Sequence, residues 1–177
     1  LQTVVYGKLS NKPGDPETGF EWVEVEAVMD SGAAESVGGL EFVDDKKDLR
    51  PTKASKAGLK YYGIDGGVIR NMGELDITGK SEEKIPLDMT IQIGDKVNKM
   101  LIAVRRAVES GNMVVFGDVG KDGKVKHYIK NRKTGVESKI IDKDNVYKYK
   151  MWMKRRVERK PFTLNVLDGE EVNRDPF

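Results

Sequence analysis

Apolar and polar residues alternate along two stretches of this chain. From Trp22 to Met29, Val23, Val25, Ala27 and Met29 fall on one face and Glu24 and Glu26 on the other. Ile85, Leu87, Met89, Ile91 and Ile93 repeat the same period of two. That period marks a strand with one buried face. Gly94 and Asp95 predict a turn from the second strand into another at 97–103. Leu59-Lys60-Tyr61-Tyr62 and Val68-Ile69-Arg70 flank Asp65-Gly66-Gly67. Asp-Gly accepts the positive backbone angles of a tight primed turn, so a β-hairpin is predicted there.

Residues 103–110 read as a short helix with Gly111 as its left-handed stop. Residues 113–116, 127–129, 138–141 and 146–152 read as further strands, with turns at Asp122-Gly123 and Thr134-Gly135. Residues 11–16 predict a loop between strands, and the polar, Lys-rich residues 44–58 a surface loop. Many short strands and one helix make the fold all-β, a small barrel or sandwich.

Composition narrows the chemistry. The chain has 177 residues, enough to bury roughly two-thirds of its unfolded surface without covalent staples. It has no Cys, which excludes disulfides, thiol catalysis and thiolate zinc sites. A single His, His127, rules out a multi-His metal site and argues against a Ser-His-Asp triad. Carboxylates, hydroxyls and lysines remain, and no cofactor or metal is implied. No apolar run approaches the ~20 residues of a membrane helix, and the first residues carry no signal-peptide pattern. An intracellular location and no membrane contact are expected. The chain starts at Leu1 rather than Met, as a piece of something longer would.

Charge is unevenly spread. Residues 1–120 carry 15 Lys and Arg against 20 Asp and Glu, whereas 121–160 carry 15 against 5. The shift predicts an acidic body and a basic extension. Lys148-Tyr149-Lys150-Met151-Trp152-Met153-Lys154-Arg155-Arg156 could meet nucleic acid through phosphates and stacking. The favoured reading is a strand with Tyr149, Met151 and Met153 on an apolar face and a solvated Lys/Arg edge. His127 is expected to face solvent, and Asp44-Asp45 and Glu82-Glu83 to be solvated.

Ala27-Val28-Met29-Asp30-Ser31-Gly32-Ala33 places a carboxylate at the end of an apolar strand. Gly32 lets another backbone approach closely, and Ser31 can hydrogen-bond to a neighbouring strand. Two such carboxylates sharing a proton could activate water, one as acid and one as base. The tripeptide alone also occurs as an ordinary turn cap.

The run Val28-Met29-Asp30-Ser31-Gly32-Ala33-Ala34-Glu35-Ser36-Val37 resembles the active-site segment of retroviral-type aspartic proteases, the retropepsins. Tyr62-Gly63-Ile64-Asp65-Gly66-Gly67-Val68-Ile69 is similar to their glycine-rich flap. Residues 101–116 are similar to their closing element, a helix, a glycine stop and a terminal strand. Ala103 stands where the family has Gly, and Val104 where an Arg that supports dimer contacts often follows. Residues 98–155 also look like copia-type retrotransposon polyproteins just past the protease.

The resemblance implies a retropepsin-like closed barrel at 1–116. Residues 117–177 have no counterpart in a minimal retropepsin, and a basic β extension at 117–155 and a partly flexible tail at 156–177 are expected there. It implies an aspartic endopeptidase that processes a retroelement-like polyprotein. Since the chain has one Asp-Ser-Gly-Ala, the dyad would need a homodimer with Asp30 near its axis. Ser31 would bond to the partner backbone. Gly32 and Ala33 would meet an extended substrate. Glu35 could help bind that backbone, although a solvated turn residue is the favoured reading. Gly63, Ile64, Asp65, Gly66, Gly67 and Val68 would close as a flap. Val28, Ile64, Val68 and Ile102 would line substrate pockets, although core packing explains them equally well. The other reading is an inactive retropepsin-fold binding or dimerisation module whose basic extension contacts nucleic acid or protein.

Overall fold

The alternation at 22–29 forms a long strand, as its period requires. The computed structural model describes residues 8–9, 19–63 and 65–160. The expected loop at 11–16, Ile64 and the tail from 161 lie outside the described residues. Strands β1 (Lys8–Leu9), β2 (Phe20–Asp30) and β3 (Val37–Gly39) are followed by helix α1 (Lys53–Lys56). Then come β4 (Lys60–Tyr62), β5 (Val68–Ser81), β6 (Pro86–Gly94) and β7 (Leu101–Ala103). Helix α2 (Val104–Glu109) leads into β8 (Asn112–Val119), β9 (Val125–Asn131) and β10 (Glu137–Lys139). Strands β11 (Ile141–Lys143) and β12 (Val146–Arg156) complete the described chain.

Six strands close a barrel in the order β2, β7, β3, β6, β5, β12 and back to β2. Strand β2 runs parallel to β7, and β3 parallel to β6. Val23, Val25, Ala27 and Met29 point inward and are buried. They join Phe42, Ile77, Ile91, Ile93, Met100, Met151 and Met153 in the core. Each buried aliphatic side chain of this kind contributes about 1.5–3 kcal/mol over leaving it in water.

Two turns depart from the expected forms. The Gly94-Asp95 turn does not return β6 onto β7, because β3 lies between them and β7 pairs with β2. Gly39 permits this crossing, since a Cβ there would collide with the Val97 carbonyl oxygen. The hairpin tip at 63–67 is longer than a two-residue primed turn. Gly66 has a positive φ of 78°, Gly63 N–H donates to the Gly67 carbonyl at 2.9 Å, and Asp65 Oδ1 accepts from Gly67 N–H. Residues 44–58 contain α1, started by a reciprocal Thr52–Ser55 capping box.

The basic segment is built into the barrel wall. Strand β12 pairs with β2 from Lys148 opposite Val28 to Arg156 opposite Phe20, and with β5 at Met151, Trp152 and Met153. It is therefore not the solvated edge expected from its lysines. Tyr149, Met151 and Met153 are buried as expected, and the cations answer carboxylates of neighbouring elements. Lys148 meets Glu26 at 2.9 Å and Asp144 at 2.7 Å, and Lys150 meets Glu24 at 3.2 Å. Arg155, 2% exposed, holds Asp44 at 2.6 Å, so Asp44 is buried rather than solvated. Arg156 pairs with Asp48 at 2.9 Å, and Lys154 lies over the Phe20 ring.

A three-stranded sheet, β10-β9-β8, packs against this barrel. Val114 and Ile129 lie on the core, and Glu83 accepts hydrogen bonds from Ser138 and from the Lys139 amide. Glu83 is thus partnered, not merely solvated. His127 is half-buried instead of facing solvent. Its Nδ1 accepts the Gly117 N–H at 2.9 Å, and its ring packs on Tyr147.

Candidate active site

Asp30 is the last residue of β2, one position past the inward-facing Met29. Alternation therefore turns its side chain to the outer face, where it is half-buried. Its Oδ1 accepts from Gly32 N–H at 2.8 Å and from Ala33 N–H at 3.1 Å. The carboxylate is oriented by the loop that follows it. It has no cationic partner among the described residues. Ser31 and Gly32 are exposed and Ala33 is half-buried.

Nothing among the described residues explains the glycine at 32. Its φ is not positive, and a Cβ there would meet only Asp30 Oδ1, at 3.4 Å.

The loop from 31 to 36 leaves β2 and enters β3 on the other side of β7. Ser36, buried, anchors its far end: Oγ accepts from Ala103 N–H at 3.0 Å, and its carbonyl accepts from Gln92 N–H at 2.8 Å. Ala103 is also the residue opposite Asp30 in the β2–β7 pairing. Glu35 is held by Arg106 of α2, whose Nε donates to Glu35 Oε2 at 2.9 Å. Both Glu35 oxygens are engaged with that guanidinium, so this carboxylate is not free for a substrate backbone. The Arg106 pKa is raised, first by its hydrogen bonds to Glu35 and then by those to Glu109. Ser36 and Arg106 carry no sequence signal of their own, and only the fold brings them to this loop.

The expected pocket residues separate. Val28 lies on the outer face beside Lys148 of β12 and Leu101 of β7. Ile102 pairs with Met29, is 5% exposed and belongs to the core, so it faces inward, away from the Asp30 side of the sheet. Val68 and the loop residues Asp65, Gly66 and Gly67 are exposed, Gly63 is half-buried, and Ile64 lies outside the described residues. Tyr61 braces the hairpin base by accepting from Asn71 Nδ2 at 2.9 Å, and Tyr62 points to solvent. No hydrogen bond joins this hairpin to residues 30–33 among the described residues.

A groove of about 1050 Å³ runs between β6, α2 and the three-stranded sheet. Leu87, Met89, Ile102 and Ile129 are among its apolar lining, and Glu35 and Arg106 among its charged lining. Neither Asp30 nor the 63–67 loop lines it. Among the described residues no cluster of three acidic or His side chains could hold a metal ion, and no helix is long and apolar enough to cross a membrane.

No family model, curated protein or solved structure matches the chain.

Proposed function

We propose that this chain is an aspartic endopeptidase of retropepsin type. Two copies would bring their Asp30 carboxylates together across a two-fold axis. The observation that carries this reading is Asp30 itself: an outward carboxylate at the end of a barrel strand, aimed by two amides and without a cationic partner among the described residues. Asp44, at the other end of the β2–β12 seam, is by contrast neutralised by Arg155.

In the dimer, like charges in contact cannot both ionise, so the pair shares a proton. One Asp30 takes a proton from water while the other donates to the scissile carbonyl oxygen. The tetrahedral intermediate then collapses as the leaving nitrogen gains a proton. Gly32, bare and exposed, leaves room for a substrate or partner backbone. Ser31 donates to that neighbour. The 63–67 loop with Val68 closes over an extended peptide, and Val28 packs beside it. Processing of a retroelement-like polyprotein is the role this implies.

Strand β8 offers the dimer a surface. It pairs with β9 on one edge and has no strand partner on the other among the described residues. Met113, Phe116 and Val119 are exposed on it, and it carries no Lys or Arg of the kind that guards an open edge. Its pairing with β9 of its own chain favours a second reading, a module that binds or dimerises without cleaving. Contact with nucleic acid through β12 has less support, because its cations are engaged within the chain.

The test compares cleavage of a peptide library by the chain and by Asp30→Asn between about pH 4 and 7, where a shared-proton pair works. Cleavage by the parent alone is expected. Silence from both, at concentrations where sedimentation finds a dimer, would favour the binding module.

A further inference from the structure

Arg106 uses every nitrogen of its guanidinium. Nε and one terminal nitrogen grip the two Glu35 oxygens, and the other terminal nitrogen donates to Glu109 Oε2 at 2.7 Å. Glu109 Oε1 also accepts from Arg105 Nε at 2.8 Å, which braces the arrangement on α2. A fork-to-fork contact fixes direction as well as distance. Yet the Arg106 and Glu35 side chains keep 48% and 39% of their exposure. Ion pairs this exposed add little to stability.

What the pair does hold is the loop after Asp30. Glu35 ends the stretch whose amides, Gly32 and Ala33, orient the Asp30 carboxylate. The next residue, Ser36, is fastened to Ala103, directly before α2. Between Asp30 and Glu35 the described side chains supply no tie to any other element. Without the Arg106 grip, Ser31 to Ala34 would be tethered only at Asp30 and Ser36.

We propose that Arg106 is a positioning residue for Asp30, acting through Glu35 on the loop whose amides aim the carboxylate. This rests on the reading of Asp30 as catalytic. Arg106 touches neither Asp30 nor the reacting bond, so its loss should lower kcat and spare KM. Arg106→Gln in the full chain is expected to lower kcat for a cleaved peptide about tenfold, as a small misplacement of a reacting group does. Arg106→Lys keeps the charge but not the fork and should recover only part of it. Melting temperature should change little.

Amide hydrogen exchange gives a readout independent of cleavage. Gly32 and Ala33 should exchange about tenfold faster in Arg106→Gln, with β2 and β12 unchanged. A rise in KM at constant kcat would make Arg106 a substrate contact and overturn the proposal. Unchanged exchange at Gly32 and Ala33 would overturn it too. A parent chain that cleaves nothing at concentrations where sedimentation finds a dimer would refute the catalytic reading, and the exchange result would still decide whether Arg106 holds the loop.

Discussion

The two sides of β2 follow opposite rules. Along β12, its glutamates lie beside lysines, and the inward side chains are sealed in the core. At the β7 end, the strand stops on Asp30, whose carboxylate has, among the described residues, only the amides of its own loop. The β12 seam is built for closure, with charge cancelled and apolar surface removed from water. The Asp30 loop leaves a charge without a cation among the described residues and a glycine uncovered, features that closing the barrel does not require. Substitutions in the seam should therefore cost stability, and substitutions in the loop should cost activity alone.

The largest stability effect is expected at the base of the seam. Asp44→Asn strands Arg155, 2% exposed, without its counter-charge. Breaking a buried pair from one side costs about 3–5 kcal/mol, measurable by urea unfolding. Met151→Ala empties a fully buried position between β2 and β5, and about 3 kcal/mol is expected. A loss under about 1 kcal/mol at both sites would deny that β12 closes the barrel.

Gly32→Ala sharpens the contrast from the other side. Nothing among the described residues blocks the added methyl, so stability should move by less than about 0.5 kcal/mol. Cleavage should fall about a hundredfold if another backbone must lie there. Full activity in this variant would remove Gly32 from the site.

The smallest effect lies between barrel and sheet. Burial pushes the Glu83 carboxyl up, but hydrogen bonds from the Lys139 amide and from Ser81 and Ser138 outweigh it and hold the pKa below the ordinary value. The folded chain then binds that proton less tightly than the unfolded chain. The stabilisation is present above the ordinary glutamate range and lost as pH falls through the lowered pKa. Glu83→Gln should thus cost up to about 1 kcal/mol at neutral pH, since the side chain is exposed, and progressively less in acid. A cost independent of pH would contradict the shift.

The sequence made some of this legible and hid the rest for physical reasons. Strands β2 and β6, the 60–70 hairpin and α2 with its glycine stop announce themselves, because period and turn chemistry are local. Gly111 has the positive φ of 87° its role requires. The place of β12 is not local. Lys148 and Lys150 look like an edge until Glu26 and Glu24, far upstream, are set beside them. Asp44 looks solvated for the same reason, since its partner is Arg155. Asp30 stood out at the end of its strand, but the Ser36 and Arg106 ties to its loop depend on a parallel β2–β7 pairing that no run of residues encodes. The strand wall also changes how the extension can be tested. A cut after Phe116 would remove β12 and open the barrel, so it cannot isolate an effect on dimerisation.

The dyad itself is tested most directly by mixing subunits. The chain and Asp30→Asn are allowed to exchange in varying proportion at constant total concentration, and peptide cleavage is followed. If each site needs Asp30 from both copies, activity follows the square of the parent fraction and falls to about a quarter at equal amounts. A fall in simple proportion, to about half at equal amounts, would mean that one chain acts alone and would contradict a shared carboxylate pair.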